Sequence, residues 1–236
     1  MALLTIDKLN CFYGNVQSLW DIDMSVEPGE IVALLGANGA GKTTLLNALT
    51  GIIKPTSGNV TYMGNSILDL PTSEIVRKGI AYLPESGRLF NDMTILENLE
   101  MGAYSKEIWS HRKDSVERVF ALFPRLKERR KQLAKTLSGG EKQMLAMGRA
   151  IMSEPKICLF DELSYGLAPI MVSEVFRIVQ MLQKEGLTIL LVEQNVHQSL
   201  EIASRAYVLE NGRVAVSGDS AALLEDDYIK KAYLGM

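Results

Sequence analysis

A glycine-rich segment, Gly36-Ala37-Asn38-Gly39-Ala40-Gly41-Lys42-Thr43-Thr44, carries the residue types that bind phosphate groups. Its glycines let the backbone curl so that successive N–H groups point at phosphate oxygens. Lys42 supplies a positive charge for the β- and γ-phosphates, and the Thr43 hydroxyl is placed to ligate a Mg²⁺ ion that bridges them. The segment matches the P-loop pattern G-x-x-x-x-G-K-[ST] and predicts a nucleotide-phosphate site.

Two elements must position this segment. The apolar run at residues 31–35 predicts a short buried strand before it, and residues 45–49 predict a helix after it. The start of that helix adds the positive end of its dipole. A P-loop alone is compatible with kinases, GTPases, recombinases and transport ATPases, so other parts of the chain must discriminate among them.

A second candidate for chemistry is the apolar run Ile157-Cys158-Leu159-Phe160, which ends in Asp161 and Glu162. Ligands lie at the carboxyl ends of parallel strands, so this pattern places both carboxylates beside the P-loop. Asp161 is then a direct or water-mediated Mg²⁺ holder, and Glu162 is the base or orienting group for an attacking water. The alternative is a strand that ends in solvent-facing acids, which would be favoured without the P-loop.

The segment Leu137-Ser138-Gly139-Gly140-Glu141 precedes a predicted amphipathic helix. Ser138 and Glu141 have capping-box spacing, which is a structural explanation. It leaves two glycines in the first turn unexplained, because glycine is costly in a helix. N–H groups bare of side chains at a helix start are what a second phosphate contact needs.

The remaining sequence predicts an α/β fold around the P-loop. Residues 3–35 read as strands and turns, which predicts an antiparallel β lobe beside the nucleotide core. Residues 93–133 have a helical pattern. Further strands are predicted at residues 80–83 and 187–192, and residues 207–215 predict a hairpin with an Asn-Gly turn.

Two features have both a functional and a structural explanation. Tyr13, followed by Gly14, could stack on an adenine ring, although a core or surface tyrosine is the commoner case. The charge-rich residues 125–131 are most simply a solvated helix face, and a docking surface is the less common alternative.

Composition narrows the class of protein. The chain has 236 residues, of which 47% are hydrophobic and 22% charged, as in ordinary globular proteins. A net charge of −3 gives no electrostatic case for nucleic acid as the main partner. No apolar run approaches the ~20 residues that span a bilayer, and no signal peptide is evident. We expect a cytoplasmic protein that reaches a membrane only through a partner, with Cys11 and Cys158 as reduced core thiols.

The P-loop, the Leu-Ser-Gly-Gly-Glu segment and the strand ending in Asp-Glu, in that order, resemble the ATP-binding subunit of ABC transporters over nearly the whole chain. The resemblance implies ATP and Mg²⁺ as cofactors. It implies two subunits paired head to tail, with each ATP between the P-loop of one and Ser138, Gly139 and Gly140 of the other. It also implies one ATP-binding domain over residues 1–236, with a RecA-like core, a mainly parallel sheet, an antiparallel β lobe and a helical lobe at about residues 89–150 that contacts integral membrane permease subunits.

The same resemblance implies roles for single residues. Tyr13 matches the adenine-stacking position, and Asp161 and Glu162 match the magnesium carboxylate and the catalytic glutamate. Lys42 and Gln194 are the other catalytic candidates. Residues 164–167 match a loop that crosses the dimer interface.

Several segments resemble the LivF type, one of two paired ATPases of branched-chain amino acid importers, with the urea importer ATPase as its near neighbour. They are the P-loop, Leu-Pro-Glu-Ser-Gly-Arg-Leu-Phe, Tyr-Gly-Leu-Ala-Pro and Leu-Val-Glu-Gln-Asn. The implied partners are a second ATPase, either an identical chain or a LivG-type subunit, the permeases and, indirectly, an extracytoplasmic solute-binding protein. The transported solute is not readable from this chain, since specificity would lie in those partners.

Three positions depart from the general pattern of the resemblance. Glu85 stands at a metal-contacting position where most members have glutamine, and Gln194 stands where most have a histidine that contacts the γ-phosphate. Glutamine can donate a hydrogen bond but cannot carry a charge or relay a proton as imidazole can. We therefore predict slower turnover at this chain's own P-loop site than at its partner's. Leu163 replaces the usual proline after Glu162, which leaves the local geometry of that glutamate open.

Two other functions are weaker. Soluble ABC ATPases that act on ribosomes or DNA usually carry two nucleotide units or long coiled-coil insertions, and this sequence has neither. A nucleotide-binding switch without hydrolysis is disfavoured by Glu162, because that carboxylate is placed to act on water.

Overall fold

The computed structural model of the chain describes residues 1–85 and 87–234. The strands are β1 (Leu4–Tyr13), β2 (Val16–Val26), β3 (Ile31–Leu35), β4 (Ser57–Tyr62), β5 (Asn65–Ser66), β6 (Ile80–Leu83), β7 (Ile157–Asp161), β8 (Thr188–Glu193), β9 (Arg205–Glu210) and β10 (Arg213–Asp219). The helices are α1 (Lys42–Leu49), α2 (Thr72–Arg77), α3 (Ile95–Glu100), α4 (Lys106–Leu122), α5 (Pro124–Glu128), α6 (Gly139–Ile151), α7 (Pro169–Lys184), α8 (Val196–Ile202), α9 (Ser220–Glu225) and α10 (Asp227–Ile229). A 3₁₀ turn spans Ala134–Thr136 and a π-helical turn spans Lys230–Leu234.

The larger sheet has the strand order β10-β9-β3-β8-β7-β6, and all neighbours are parallel except the β9–β10 hairpin. Strands β3, β7 and β8 are buried at every residue, as expected for central parallel strands covered on both faces. Leu35 pairs with Glu193, and Asp161 pairs with Val192. The carboxyl ends of these three strands therefore lie together, which confirms the predicted edge for the P-loop and the two acids.

The smaller sheet is antiparallel, with the order β2-β1-β4-β5. Its buried face packs on the P-loop helix α1 through a cluster that includes Leu9, Leu19, Leu45 and Leu49. This sheet confirms the antiparallel β lobe predicted from residues 3–35, and it places Tyr13, the last residue of β1, near the P-loop.

The residues predicted to be helical, 93–133, form α3, α4 and α5 with two breaks between them. Helix α4 ends at Leu122, just before Pro124, because the proline ring cannot continue the i−4 hydrogen bonds. Val116, Val119 and Phe120 form a buried apolar stripe on α4, and Phe123, just after the helix, is buried with them. Helix α6 packs against α3 and α5.

The charge-rich stretch at residues 125–131 is helical only as far as Glu128, and its charged side chains are exposed. That exposure agrees with the solvated surface that its composition predicts. Two of the charges are paired: Lys127 lies 2.7 Å from Glu117, and Arg129 lies 3.0 Å from Glu141.

The two cysteines, Cys11 and Cys158, are buried and free, as predicted for reduced core thiols. None of the helices within residues 1–85 and 87–234 combines the length and the apolar character needed to cross a bilayer.

Candidate nucleotide site

The P-loop connects β3 to α1 at the carboxyl edge of the parallel sheet. A side chain at Gly36 would place its Cβ 2.3 Å from the carbonyl oxygen of Leu209, so only glycine fits against β9. Gly41, the N-cap of α1, has a φ of 108° and no side chain to cap the helix. The first N–H groups of α1 are therefore free of a side-chain cap and able to bind an anion.

The Lys42 side chain is buried and is held inside this loop. Its Nζ donates to the carbonyl oxygens of Gly36 at 2.7 Å and Ala37 at 3.2 Å, and it lies 3.3 Å from Oε1 of Glu162. A buried ion pair of this kind needs additional hydrogen bonds to offset desolvation, and the two carbonyls provide them. The structure thus brings the predicted lysine and the predicted catalytic glutamate into contact.

Asp161 lies at the end of β7 and is buried. Its Oδ2 accepts hydrogen bonds from the Thr43 hydroxyl and from the Tyr82 hydroxyl, both at 3.2 Å. Its other oxygen, Oδ1, is buried and has no hydrogen-bond partner among the described residues. Burial raises the pKa of the Asp161 carboxyl. A cation beside Oδ1 would remove this unpaired state, so the residues present fit Mg²⁺.

Magnesium at this position would depend mainly on water and phosphate for its remaining ligands. No cluster of three His, Cys, Asp or Glu side chains that could hold a metal occurs within the described part of the chain. Magnesium commonly binds through one or two protein groups together with substrate phosphates. Thr43, Asp161 and Glu85 therefore remain the predicted magnesium residues.

Glu162 follows β7 and has a φ of 51°, in the left-handed region that non-glycine residues seldom adopt. Its N–H donates to the carbonyl oxygen of Val192 on β8 at 2.8 Å. Its Oε2 accepts from Nε2 of Gln194 at 2.6 Å, and the same Nε2 donates to Oδ1 of Asn38 at 2.7 Å. Gln194 therefore links the predicted catalytic carboxylate to the P-loop.

Lys42, Thr43, Glu162 and Gln194 line one pocket of about 450 Å³, and Asp161 reaches it through its contact with Thr43. It is lined by Ser18, Asn38, Gly39, Gly41, Lys42, Thr43, Thr44, Glu85, Glu162, Tyr165 and Gln194. Sequence reasoning missed Ser18, whose hydroxyl lies 3.2 Å from Oγ1 of Thr44, and Tyr82. Neither lies in a recognisable motif. Ser18 reaches the site from β2 and Tyr82 from β6, and only the folded structure brings these strands to the P-loop.

Tyr13 lies at the side of the pocket, and its hydroxyl is 3.5 Å from Oγ1 of Thr44. Its side chain is 51% exposed, so the explanation as a core tyrosine is wrong. The exposed ring is free for stacking, and that role stays a prediction.

Ser138, Gly139 and Gly140 lie at the start of α6, outside this pocket. The predicted capping box is present: Oε2 of Glu141 accepts from the N–H and the hydroxyl of Ser138, both at 2.9 Å. The hydrogen bond from the Ser138 backbone lowers the pKa of Glu141 against its burial, as do the hydrogen bond from the Ser138 hydroxyl and the charges of Arg129 and Arg125.

Gly140 lies close to the Met171 side chain of α7. A Cβ there would lie 2.5 Å from Cε of Met171, the end of a flexible side chain, so a larger residue would require that side chain to move. A Cβ at Gly139 would meet nothing within 4 Å. Gly139 therefore presents an open helix start that no contact among the described residues explains.

Comparison with known proteins gives a consistent result. Residues 19–164 match the family model described as ABC transporter. The chain is 49% identical to the high-affinity branched-chain amino acid transport ATP-binding protein BraG of Pseudomonas aeruginosa, over 99% of this chain and 100% of BraG. It is 39% identical to the probable branched-chain amino acid transport ATP-binding protein LivF of Archaeoglobus fulgidus, over 99% of both. Among solved structures, it matches the ADP conformation of MJ1267, an ATP-binding cassette of an ABC transporter, with a TM-score of 0.87 and 26% identity over 100% of both chains.

Proposed function

This chain belongs to the ABC transporter family, and on that premise we propose that it is the ATP-hydrolysing subunit of an importer for branched-chain amino acids. The predicted resemblance to ATP-binding subunits of the LivF type is confirmed by the 49% identity to BraG, which extends over the full length of BraG. The assignment of ATP hydrolysis is supported mainly by the contacts of Glu162 with Lys42 and Gln194 in the P-loop pocket. The amino-acid class of the solute rests on the names of the relatives.

Hydrolysis would use groups that the pocket already positions. The P-loop N–H groups and Lys42 bind the β- and γ-phosphates, so the Lys42 ammonium leaves the loop carbonyls when ATP enters. Glu162 orients the attacking water and accepts its proton, while Gln194 keeps the carboxylate beside Asn38. Mg²⁺, held by Thr43, Asp161 and Glu85 when bound, supplies positive charge to the phosphates.

A second ATPase subunit would complete the site. The open start of α6 at Ser138 and Gly139 lies away from the chain's own pocket, so it is available to the ATP of a partner. The partner is either an identical chain or a LivG-type subunit. Tyr13 would stack on the adenine of the chain's own ATP.

The permease surface would be a groove of about 400 Å³ between the core and the helices. Apolar side chains that line it are unusually exposed: Ile52, Phe90, Met101 and Tyr104. A patch of this kind marks a contact with another protein. The chain, which we treat as one domain over residues 1–236, would thus work at the cytoplasmic face of the membrane, and a solute-binding protein would act on it only through the permeases.

Solute uptake in the source organism tests this proposal. Deletion of the gene should abolish high-affinity uptake of labelled leucine, isoleucine and valine, and the wild-type gene should restore it. A gene carrying Lys42→Ala should restore it only in part, because the phosphates at this chain's own site lose their main cation. Loss of urea uptake with normal leucine uptake would contradict the proposal and favour the urea importer instead.

A further inference from the structure

Glu193, the last residue of β8, is a buried acid that the mechanism above does not use. Its side chain is 1% exposed. Its Oε1 accepts from the backbone N–H of Ser164 at 3.0 Å, and its Oε2 accepts from the Ser164 hydroxyl at 2.6 Å. Both partners thus belong to one residue of the loop that follows β7.

These hydrogen bonds close a ring of contacts around the catalytic pair. Glu162 lies two residues before Ser164, and Gln194 directly follows Glu193. The hydrogen bond from Gln194 to Glu162, at 2.6 Å, joins the same two chain segments a second time. The position of Glu162 relative to Gln194 is therefore fixed from both sides.

The ring holds a backbone conformation that needs support. Glu162 has a φ of 51°, and a non-glycine residue persists in that region only where its surroundings impose it. The next residue, Leu163, is buried and packs in the core, but it does not fix its own φ as a proline would. Hydrogen bonds anchor the turn on either side. The N–H of Glu162 donates to the carbonyl oxygen of Val192, and the N–H and hydroxyl of Ser164 donate to Glu193.

A buried carboxyl at this position is costly. Burial, together with the charge of Glu162, raises the pKa of Glu193 to about 7, although the Ser164 hydrogen bonds oppose this. The other charged groups at these strand ends have their own partners, since Lys42 contacts Glu162, and Asp161 contacts Thr43 and Tyr82. On α8, His197 is exposed and lies beside Glu201. A carboxyl group that is buried beside a proposed active site, despite the free-energy cost of its desolvation, is a candidate for a functional role.

We propose that Glu193 is a positioning residue for ATP hydrolysis, which clamps Ser164 and thereby fixes the turn that carries Glu162. The clamp also sets Tyr165, the next residue, at the rim of the nucleotide pocket. This inference rests on the proposed role of Glu162 in hydrolysis.

Four variants of the full-length chain, each assembled with the second ATPase and the permeases, test it: Glu193→Ala, Glu193→Gln, Ser164→Ala and the Ser164→Ala, Glu193→Ala double variant. Glu193→Ala removes both hydrogen bonds and should lower kcat for MgATP by about tenfold or more, since a small displacement of a reacting group has effects of this order. Its Kd for a fluorescent ATP analogue should stay unchanged, because the P-loop is not touched. Glu193→Gln keeps an acceptor and a donor for Ser164 and should restore kcat.

Two further comparisons separate positioning from folding. Ser164→Ala should lower kcat less than Glu193→Ala, and the double variant should be no slower than Glu193→Ala, because both changes break one clamp. Thr188→Val, at the other end of β8, removes the buried hydrogen bond from Gly29 and serves as the control with normal kcat.

Hydrogen exchange gives a readout that does not depend on hydrolysis. The Ser164 amide should exchange about tenfold faster in Glu193→Ala than in the wild type, and at the wild-type rate in Glu193→Gln. Equal exchange in all three proteins, or a normal kcat in Glu193→Ala, would overturn the clamp. Absence of hydrolysis by the transporter assembled with the wild-type chain would instead overturn the proposed function.

Discussion

At the scale of single residues, polar contacts within the chain hold the groups of the pocket in place. Lys42 contacts two loop carbonyls and Glu162, and Gln194 uses its amide on Glu162 and Asn38. Glu162 is thus paired with both a cation and a hydrogen-bond donor. Removing the charge of Glu162 should therefore change the rate of ATP hydrolysis more than the affinity for ATP.

Glu162→Gln should leave the Kd for ATP within about twofold and lower kcat by about a hundredfold or more, which is the range for loss of a general base. The amide of the variant can still hydrogen-bond Gln194, so the pocket keeps its shape. The measurements are titration with a fluorescent ATP analogue and steady-state phosphate release. Unchanged hydrolysis in this variant would disprove the role of Glu162.

At the scale of elements, the end of β8 carries the buried Glu193 beside the catalytic pair. The stability of the folded chain should therefore depend on pH. The pKa of Glu193 is about 7 in the folded chain, above its ordinary value of 4.5. Between these values the folded state keeps a proton that the unfolded state has lost. The unfolded state therefore binds fewer protons, and the free energy of unfolding falls as pH rises through this window.

Glu193→Gln removes this dependence. Its free energy of unfolding relative to the wild type should increase between pH 5 and pH 8 by up to about 3 kcal/mol, from the pKa shift at about 1.4 kcal/mol for each pH unit. Urea unfolding at the two pH values measures the difference. If the free energies of unfolding of the variant and the wild type differ by the same amount at both pH values, Glu193 is ionised throughout this pH range.

The start of α6 offers a second prediction at this scale. Gly139→Ala should not lower the free energy of unfolding, and should raise it by up to about 1 kcal/mol, because alanine is the better helix former and its Cβ meets no atom. It should nevertheless lower ATP hydrolysis by the assembled transporter, since the methyl group would cover the N–H groups that bind the partner's nucleotide in the proposed assembly. Urea unfolding and phosphate release measure the two effects.

Gly218→Ala, in β10, is a matched control, since its Cβ would meet only Leu223 at ordinary contact distance. It should leave hydrolysis unchanged. If Gly139→Ala also left hydrolysis unchanged, the open helix start would have no role in binding a partner's ATP.

Features set by local sequence were predictable. The P-loop, the two acids at the end of β7 and the capping box of α6 are each a continuous stretch of sequence, and their neighbours in sequence define their geometry. The contacts of Glu193 with Ser164, Tyr82 with Asp161 and Gly140 with Met171 join distant segments. No spacing rule reports them, because strand order and helix packing bring those residues together.

At the scale of the whole molecule, the chain carries half of each of two ATP sites in the proposed assembly. Gln194 lacks the charge and proton relay of a histidine, so the site at this P-loop should turn over more slowly than the partner's. Lys42→Ala should therefore reduce transport less than the equivalent lysine change in the second ATPase. Equal losses of transport in the two assembled complexes would contradict this asymmetry.

The most direct measurement is leucine uptake by the purified transporter in proteoliposomes, with its ATPase subunits facing a known supply of MgATP and the solute-binding protein on the other side. We predict uptake that requires ATP with the wild-type chain and is strongly reduced by Glu162→Gln. Uptake by that variant at the wild-type rate, or wild-type transport that is indifferent to ATP, would contradict the claim that hydrolysis at this P-loop drives import.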